Sequence, residues 1–190
     1  MLSVIIPTLN SERHLVPTLA ALVSGATEGL IREVLLADGG SRDDTAVVAD
    51  VAGCKFLKLD RSLGERLSAA AAAARGPWLL FVRPGIILDT PWVGETRRFI
   101  ELTRERERAA AFRRGAVAPS PLREAFAQAT IALGAKPRPE QGLLISRVFY
   151  AGLGGHRADA ADSETDLIGR IGRKRIARLA TAALMSVPNT

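Results

Sequence analysis

The chain has a single cysteine, two histidines and only 5% aromatic residues. A lone Cys54 excludes an intrachain disulfide and any cysteine-based zinc site. Its apolar neighbours make it most simply a buried small residue. No basic run is interleaved with aromatics, so nucleic-acid binding by base stacking has little support. No apolar stretch approaches the roughly 20 residues of a membrane span. The first residues enter a strand pattern without a basic leader or cleavage site, and the expected location is cytoplasmic. No G-x-G-x-x-G follows the first strand and no P-loop lysine motif is present, which argues against both of those nucleotide-binding designs.

What is present is an apolar majority and an excess of arginine. At 190 residues and 47% hydrophobic, the chain is long enough for one domain with a sizeable core. Net charge is +6, and arginine supplies nearly all of the positive side. Such a balance points to anionic partners: phosphorylated ligands, nucleic acid or an acidic membrane surface. A GC-rich genome that writes arginine for lysine would give the same balance.

Buried strands are expected at Leu2-Ser3-Val4-Ile5-Ile6, at residues 32–37, at 54–59 and at Trp78-Leu79-Leu80-Phe81-Val82. Helices are expected after Asn10 and Ser11, over 46–51 and over the alanine-rich 63–75. Alternation of strands and helices implies a right-handed parallel α/β sheet. Further on, a long helix is expected from Pro91 through the charge run 104–108, a strand over 109–117 and a helix over 121–133. A short strand (142–145), a short helix (148–153) and a last helical region follow. That last region is capped by Asp162 or Ser163 and becomes strongly basic over 170–178. Three strand ends carry polar groups: Thr8 and Asn10, then Asp38, then Arg83. In a parallel sheet these ends converge on one edge, where a carboxylate and an amide can read a base and ribose and a guanidinium can hold a diphosphate.

Three blocks now stand out together. Ser3-Val4-Ile5-Ile6-Pro7-Thr8-Leu9-Asn10, Asp38-Gly39-Gly40-Ser41-Arg42-Asp43-Asp44-Thr45 and Ala74-Arg75-Gly76-Pro77-Trp78-Leu79-Leu80-Phe81 resemble glycosyltransferase family 2. The likeness extends to Gln141-Gly142-Leu143-Leu144 and to Gly154-Gly155. It is closest to the short bacterial members without membrane spans. The resemblance implies a GT-A-like α/β fold with a mostly parallel central sheet flanked by helices. It also implies transfer of a sugar from a nucleotide diphosphate donor to a hydroxyl acceptor by an inverting displacement. Pro7, Thr8, Asn10 and Asp38 then fall at the nucleotide, Gly64 and Ser68 in a segment lining the donor pocket, and Gln141 among the substrate contacts. One domain is expected, with a nucleotide-binding half (1–90), an acceptor half (91–169) and a basic C-terminal tail (170–190).

Two departures from the family pattern matter. Where relatives carry a D-x-D motif for a divalent metal, this chain has Arg83 and Gly85. A hard cation needs anionic oxygens, so no metal or other cofactor is expected, and Arg83 is the candidate to neutralise the diphosphate directly. Where relatives place a Glu-Asp pair as catalytic base, this chain reads Asp162-Ser163-Glu164-Thr165-Asp166. Glu164 is the first candidate base and Asp166 the second. A capping box from Ser163 to Asp166 is the structural alternative. His156 is expected to be structural. Residues 170–184 either pack as a solvated basic tail or lie on an anionic membrane, which would suit a lipid-linked acceptor at the inner face. A polysaccharide acceptor is the other class. The competing functional reading is a catalytically degenerate nucleotide-sugar-binding or scaffold protein. Nucleic acid is not expected as a partner, and the sequence assigns no oligomeric state.

Overall fold

The structure, a computed structural model, describes residues 1–103, 107–115 and 137–186. Its elements are β1 (Leu2–Thr8), α1 (Glu12–Thr27), β2 (Ile31–Asp38), α2 (Thr45–Val51), β3 (Lys55–Lys58), α3 (Leu63–Ala73) and β4 (Trp78–Phe81). There follow β5 (Ile86–Leu88), α4 (Trp92–Leu102), β6 (Ala109–Arg114), β7 (Leu143–Ser146), α5 (Arg147–Gly152), α6 (Ser163–Ile171) and β8 (Ile176–Met185). The strands join one sheet in the order β3-β2-β1-β4-β7-β6-β8-β5. Strands β3, β2, β1 and β4 are parallel; β7 runs against β4 and β6, and β5 runs against β8.

The period-two pleat explains the continuous apolar runs. Val4 and Ile6 of β1 join the core on one face, with Leu15, Leu22, Trp92 and Phe99 from α1 and α4. Ile5 joins the core on the other face, with Leu67, Ala70, Phe149 and Leu167 from α3, α5 and α6. A strand covered on both sides has no polar face to show. Each fully buried Leu or Ile stabilises the fold by about 2 kcal/mol.

The parallel register sets the site. Thr8 lies opposite Asp38, and Ile5 opposite Phe81. The chain builds β2 and β3 on one side of β1 and then returns to add β4 on the other. The crevice beyond the carboxyl ends of β1 and β4 is therefore a topological switch point.

The C-terminal end departs most from expectation. Helix α6 stops at Ile171, and the segment expected to continue as a basic helical tail is instead β8, held between β6 and β5. The arginines just before it act as fasteners. Arg170 donates to the carbonyls of Leu153 and Gly155, and Arg175 to those of Ile171 and Arg170 while stacking over Phe149 at 5.0 Å. Helix α4 ends at Leu102, short of the charge run, and Glu107 and Arg108 are not helical. The strand expected over 109–117 is β6, ending at Arg114. The helix expected over 121–133 lies outside the described residues. Cys54 is half-buried at the rim of the core rather than inside it.

Candidate functional site

The crevice at the switch point is an open cleft of about 480 Å³, lined in part by Pro7, Thr8, Asn10, His14, Arg66, Arg83 and Glu164. Its β1 wall is held by hydrogen bonds within the wall. The buried Asp38 carboxylate accepts from Thr8 Oγ1 at 2.9 Å, from the N–H groups of Gly40 and Ser41 at 2.8 Å, and from the Ser41 hydroxyl. Burial alone would raise its pKa, but these four donors hold it below the usual carboxylate range. Asn10, at φ 49°, accepts from the Arg42 N–H through Oδ1 at 2.9 Å, while its own N–H donates to Ser41 Oγ. The first two polar strand ends thus tie to each other. Thr8 and Asn10 line the cleft; Asp38 does not, its oxygens taken by Thr8 and its own loop.

The β4 wall is charged. After Phe81 the chain turns tightly, Ile86 N–H donating to Arg83 O at 3.2 Å. Gly85, at φ +87°, donates its N–H to His14 O and to Thr18 Oγ1, both at 2.9 Å. This turn presents Arg83 to the cleft. Arg83 Nε and Nη2 donate to Glu164 Oε2 at 2.8 and 2.5 Å, and Nη1 donates to Glu140 Oε1 at 3.1 Å. Glu164 enters from the first turn of α6, whose N-cap is Asp162: its carboxylate accepts from Thr165 N–H and Oγ1 at 3.1 and 2.7 Å. The cap is therefore Asp162 with Thr165, not Ser163 with Asp166. The Glu164 side chain is only 8% exposed. Burial pushes its carboxyl above the ordinary range, and the Arg83 guanidinium brings it only part of the way back.

Arg83 also borders a second cavity of about 380 Å³, shared with Arg138, Glu140, Asp162 and Thr165. Arg83 thus borders both hollows.

The other sequence candidates lie elsewhere. Asp166 pairs with Arg170 at 2.7 Å and does not line the cleft. Gly64 allows close packing: a Cβ there would sit 2.1 Å from the Arg157 carbonyl oxygen, so no side chain fits between α3 and the loop before α6. Ser68 lies near the Tyr150 hydroxyl and does not line the cleft. Gln141 donates to Phe112 O at 2.7 Å and accepts from Arg138 N–H at 3.0 Å, fixing the turn that carries Glu140. His156 is buried against Tyr150 and Phe81, and burial, with the Arg170 charge adding to it, pushes its imidazole down to about 3.

Sequence reasoning missed Arg66. Its Nη1 donates to the carbonyls of Thr8 and Ala37 at 2.8 and 2.9 Å, and its buried Nε has no partner among the described residues. It lines the cleft floor beneath Thr8. The signal was available: Leu63, Leu67, Ala70, Ala71 and Ala74 form a helical apolar stripe, and Arg66 is the one charge on it.

The residues at the turn do not suit a divalent metal. The chain places a guanidinium at 83 and a glycine at 85. No group of three His, Cys, Asp or Glu side chains gathers for an ion among the described residues. Nor is any helix among them long and apolar enough to cross a membrane.

Residues 3–82 match the family described as Glycosyl transferase family 2. A glucosyl-3-phosphoglycerate synthase of Mycolicibacterium paratuberculosis is 30% identical over 105 residues, covering 48% of this chain and 32% of that protein. The chain thus spans about a third of the length of the curated relatives it matches. The structure of S. aureus TarS 1-349 in complex with UDP-GlcNAc superposes with TM-score 0.72 at 17% identity, covering 100% of this chain and 59% of that one. The Mycobacterium tuberculosis glucosyl-3-phosphoglycerate synthase in complex with Mn²⁺, UDP and glucosyl-3-phosphoglycerate gives TM-score 0.68 at 21% identity, over 96% of this chain and 71% of that one. Residues 3–82 thus resemble glycosyl transferase family 2, and the chain carries the GT-A fold.

Proposed function

We propose that the cleft binds a nucleotide diphosphate sugar and that the chain transfers the sugar to a hydroxyl acceptor without a bound metal. The observation that carries this reading is Arg83 at the switch point, facing the cleft with the buried Glu164 carboxylate against it. The nucleotide complexes of the structural relatives support the choice of ligand. The Mn²⁺ of one relative marks the contrast, because here a fixed guanidinium stands at the turn. On this reading Arg66, Asn10 and the Thr8 end of β1 receive the nucleoside, and Arg83 takes the diphosphate in a two-pronged contact. The diphosphate then competes with Glu164 for Arg83. Released from its counter-ion, Glu164 accepts the proton of the acceptor hydroxyl. The acceptor oxygen attacks the anomeric carbon, and the bond from that carbon to the diphosphate oxygen breaks. The electron pair leaves on that oxygen, where Arg83 stabilises it. Attack from the face opposite the leaving group inverts the anomeric centre. A cytoplasmic or inner-membrane-face location goes with a nucleotide-sugar donor, and a polysaccharide or lipid-linked sugar with a hydroxyl acceptor.

One observation favours a second reading. The Arg83–Glu164 pair occupies both candidate catalytic groups with each other, as a protein that binds a nucleotide sugar without turning it over would tolerate. Release of UDP from UDP-glucose and UDP-GlcNAc, measured with excess chelator, separates the two. The enzyme reading expects turnover that survives chelation and falls about 100-fold or more in Arg83→Ala. Binding of both compounds with no turnover establishes the second reading, and no binding of any nucleotide sugar removes both.

A further inference from the structure

The first turn of α1 lies against the turn that presents Arg83. His14 O and the Thr18 hydroxyl both accept the Gly85 N–H, and that hydroxyl donates back to His14 O at 3.2 Å. The imidazole extends over the same turn: a Cβ built on Gly85 would meet His14 Nδ1 at 3.5 Å and its Cβ at 3.8 Å. With no side chain at 85, the ring occupies the flank of the Arg83-Pro84-Gly85 step. It is exposed, and it shares the cleft lining with Arg83, Arg66 and Asn10. No hydrogen bond ties its ring nitrogens to another described residue. An imidazole, unengaged beside a guanidinium in an open cleft, is placed to meet an anion.

We propose that His14 is a second, proton-dependent contact for the diphosphate of a nucleotide sugar, acting beside Arg83 in the cleft. This rests on the donor-cleft reading above and adds the source of its second positive charge. Arg83 shares its guanidinium with Glu164 and Glu140, so one cation faces two acids before any ligand arrives. An imidazolium adds the missing charge when protonated and withdraws it when neutral. Binding of the donor then strengthens as pH falls through the imidazole range and weakens above it. The groups that face the ring across the cleft are Arg66, Arg83 and Glu164. Glu12 and Arg13 adjoin it on α1. Of the elements packed on α1, β5 has no ionisable side chain, α2 follows Asp43 and Asp44, and β2 ends in Asp38, already occupied by its own loop. The first turn of α1 also carries the positive end of the helix dipole. That end favours an anion beside it.

The test uses UDP-glucose, whose diphosphate diester does not change charge over the range where imidazole does. Affinity is measured by calorimetry between about pH 5 and 8 for the wild-type chain, His14→Gln and His14→Lys. The wild-type chain is expected to gain about fivefold more affinity toward acid than His14→Gln, the effect of one exposed charge contact. His14→Lys is expected to bind about as tightly at the alkaline end as the wild type does at the acid end. Any titration of Glu164 is common to all three proteins and cancels in the comparison. Identical pH profiles for wild type and His14→Gln overturn the proposal while leaving the donor cleft standing. Absence of UDP-glucose binding at every pH overturns the donor cleft and this contact with it.

Discussion

Asp38 and Glu164 are both buried carboxylates beside the same cleft, and their surroundings differ in kind. Asp38 accepts from two hydroxyls and two backbone N–H groups, all within its own wall. Neutral donors fixed by the backbone satisfy it completely, and nothing arriving in the cleft can take them. Glu164 is held by the side chain of a single arginine, and that arginine faces the cleft. An anion entering the cleft removes its partner. The first carboxylate therefore builds the wall, and the second can change state. Burial is alike in the two; the exchangeability of the partner tells them apart.

The largest effect expected is from Asp38→Ala. It strands four donors in a part-buried turn and should cost about 3 kcal/mol in denaturant unfolding. A loss under 1 kcal/mol would show that the wall does not depend on that carboxylate. Arg83→Ala leaves the Glu164 carboxylate buried without a counter-ion and should cost about 2 kcal/mol, less than a fully dry pair because the arginine is a third exposed. Adding Glu164→Gln to that variant should recover most of the loss. If the two losses simply add, the pair is not coupled.

The acid–base responses should have opposite signs. Asp38 has a folded pKa below its unfolded one. Its stabilisation is present above the unfolded value near about pH 4 and disappears as pH falls through the folded value, so Asp38→Asn should flatten the acid limb of stability. Glu164 has a folded pKa above its unfolded one. The folded chain keeps a proton the unfolded chain releases, so stability declines as pH rises from the unfolded value through the folded one. Glu164→Gln should abolish that decline; a profile equal to wild type would place the titration elsewhere. The smallest effect is expected from Asp166→Asn, which breaks a partly exposed pair with Arg170 and should cost under about 1 kcal/mol. Under the proposed mechanism it should keep UDP release near the wild-type rate, whereas Glu164→Gln should lower it by about 100-fold or more. The reverse result would move the base to Asp166.

The N-terminal half was legible because its signals are local. Runs such as Ser3-Val4-Ile5-Ile6 and Trp78-Leu79-Leu80-Phe81 are apolar throughout, and the polar steps after them mark the strand ends. β8 was not legible. Ile176–Met185 is rich in alanine, a weak strand former, and carries Arg178, so its local pattern suits a basic helix better than a strand. Only pairing with β6 on one edge and β5 on the other makes the extended form the better one. The site divides in the same way. Thr8, Asn10, Arg83 and Glu164 were readable from strand ends and a helix start. Ser68, Gln141 and Asp166 were placed in the site by position in the chain, yet none of them lines the cleft, and Gln141 and Asp166 are bonded elsewhere.

By itself the sequence determined that a buried parallel sheet would form and which of its ends would be polar, because hydrophobic period and turn chemistry act over a few residues. Tertiary structure alone decided that Arg83 meets Glu164, 81 positions further on, and that Arg66 lies beneath Thr8. Partners of that kind are chosen by strand order and helix packing, and the strength of a buried charge contact depends on what surrounds it in space.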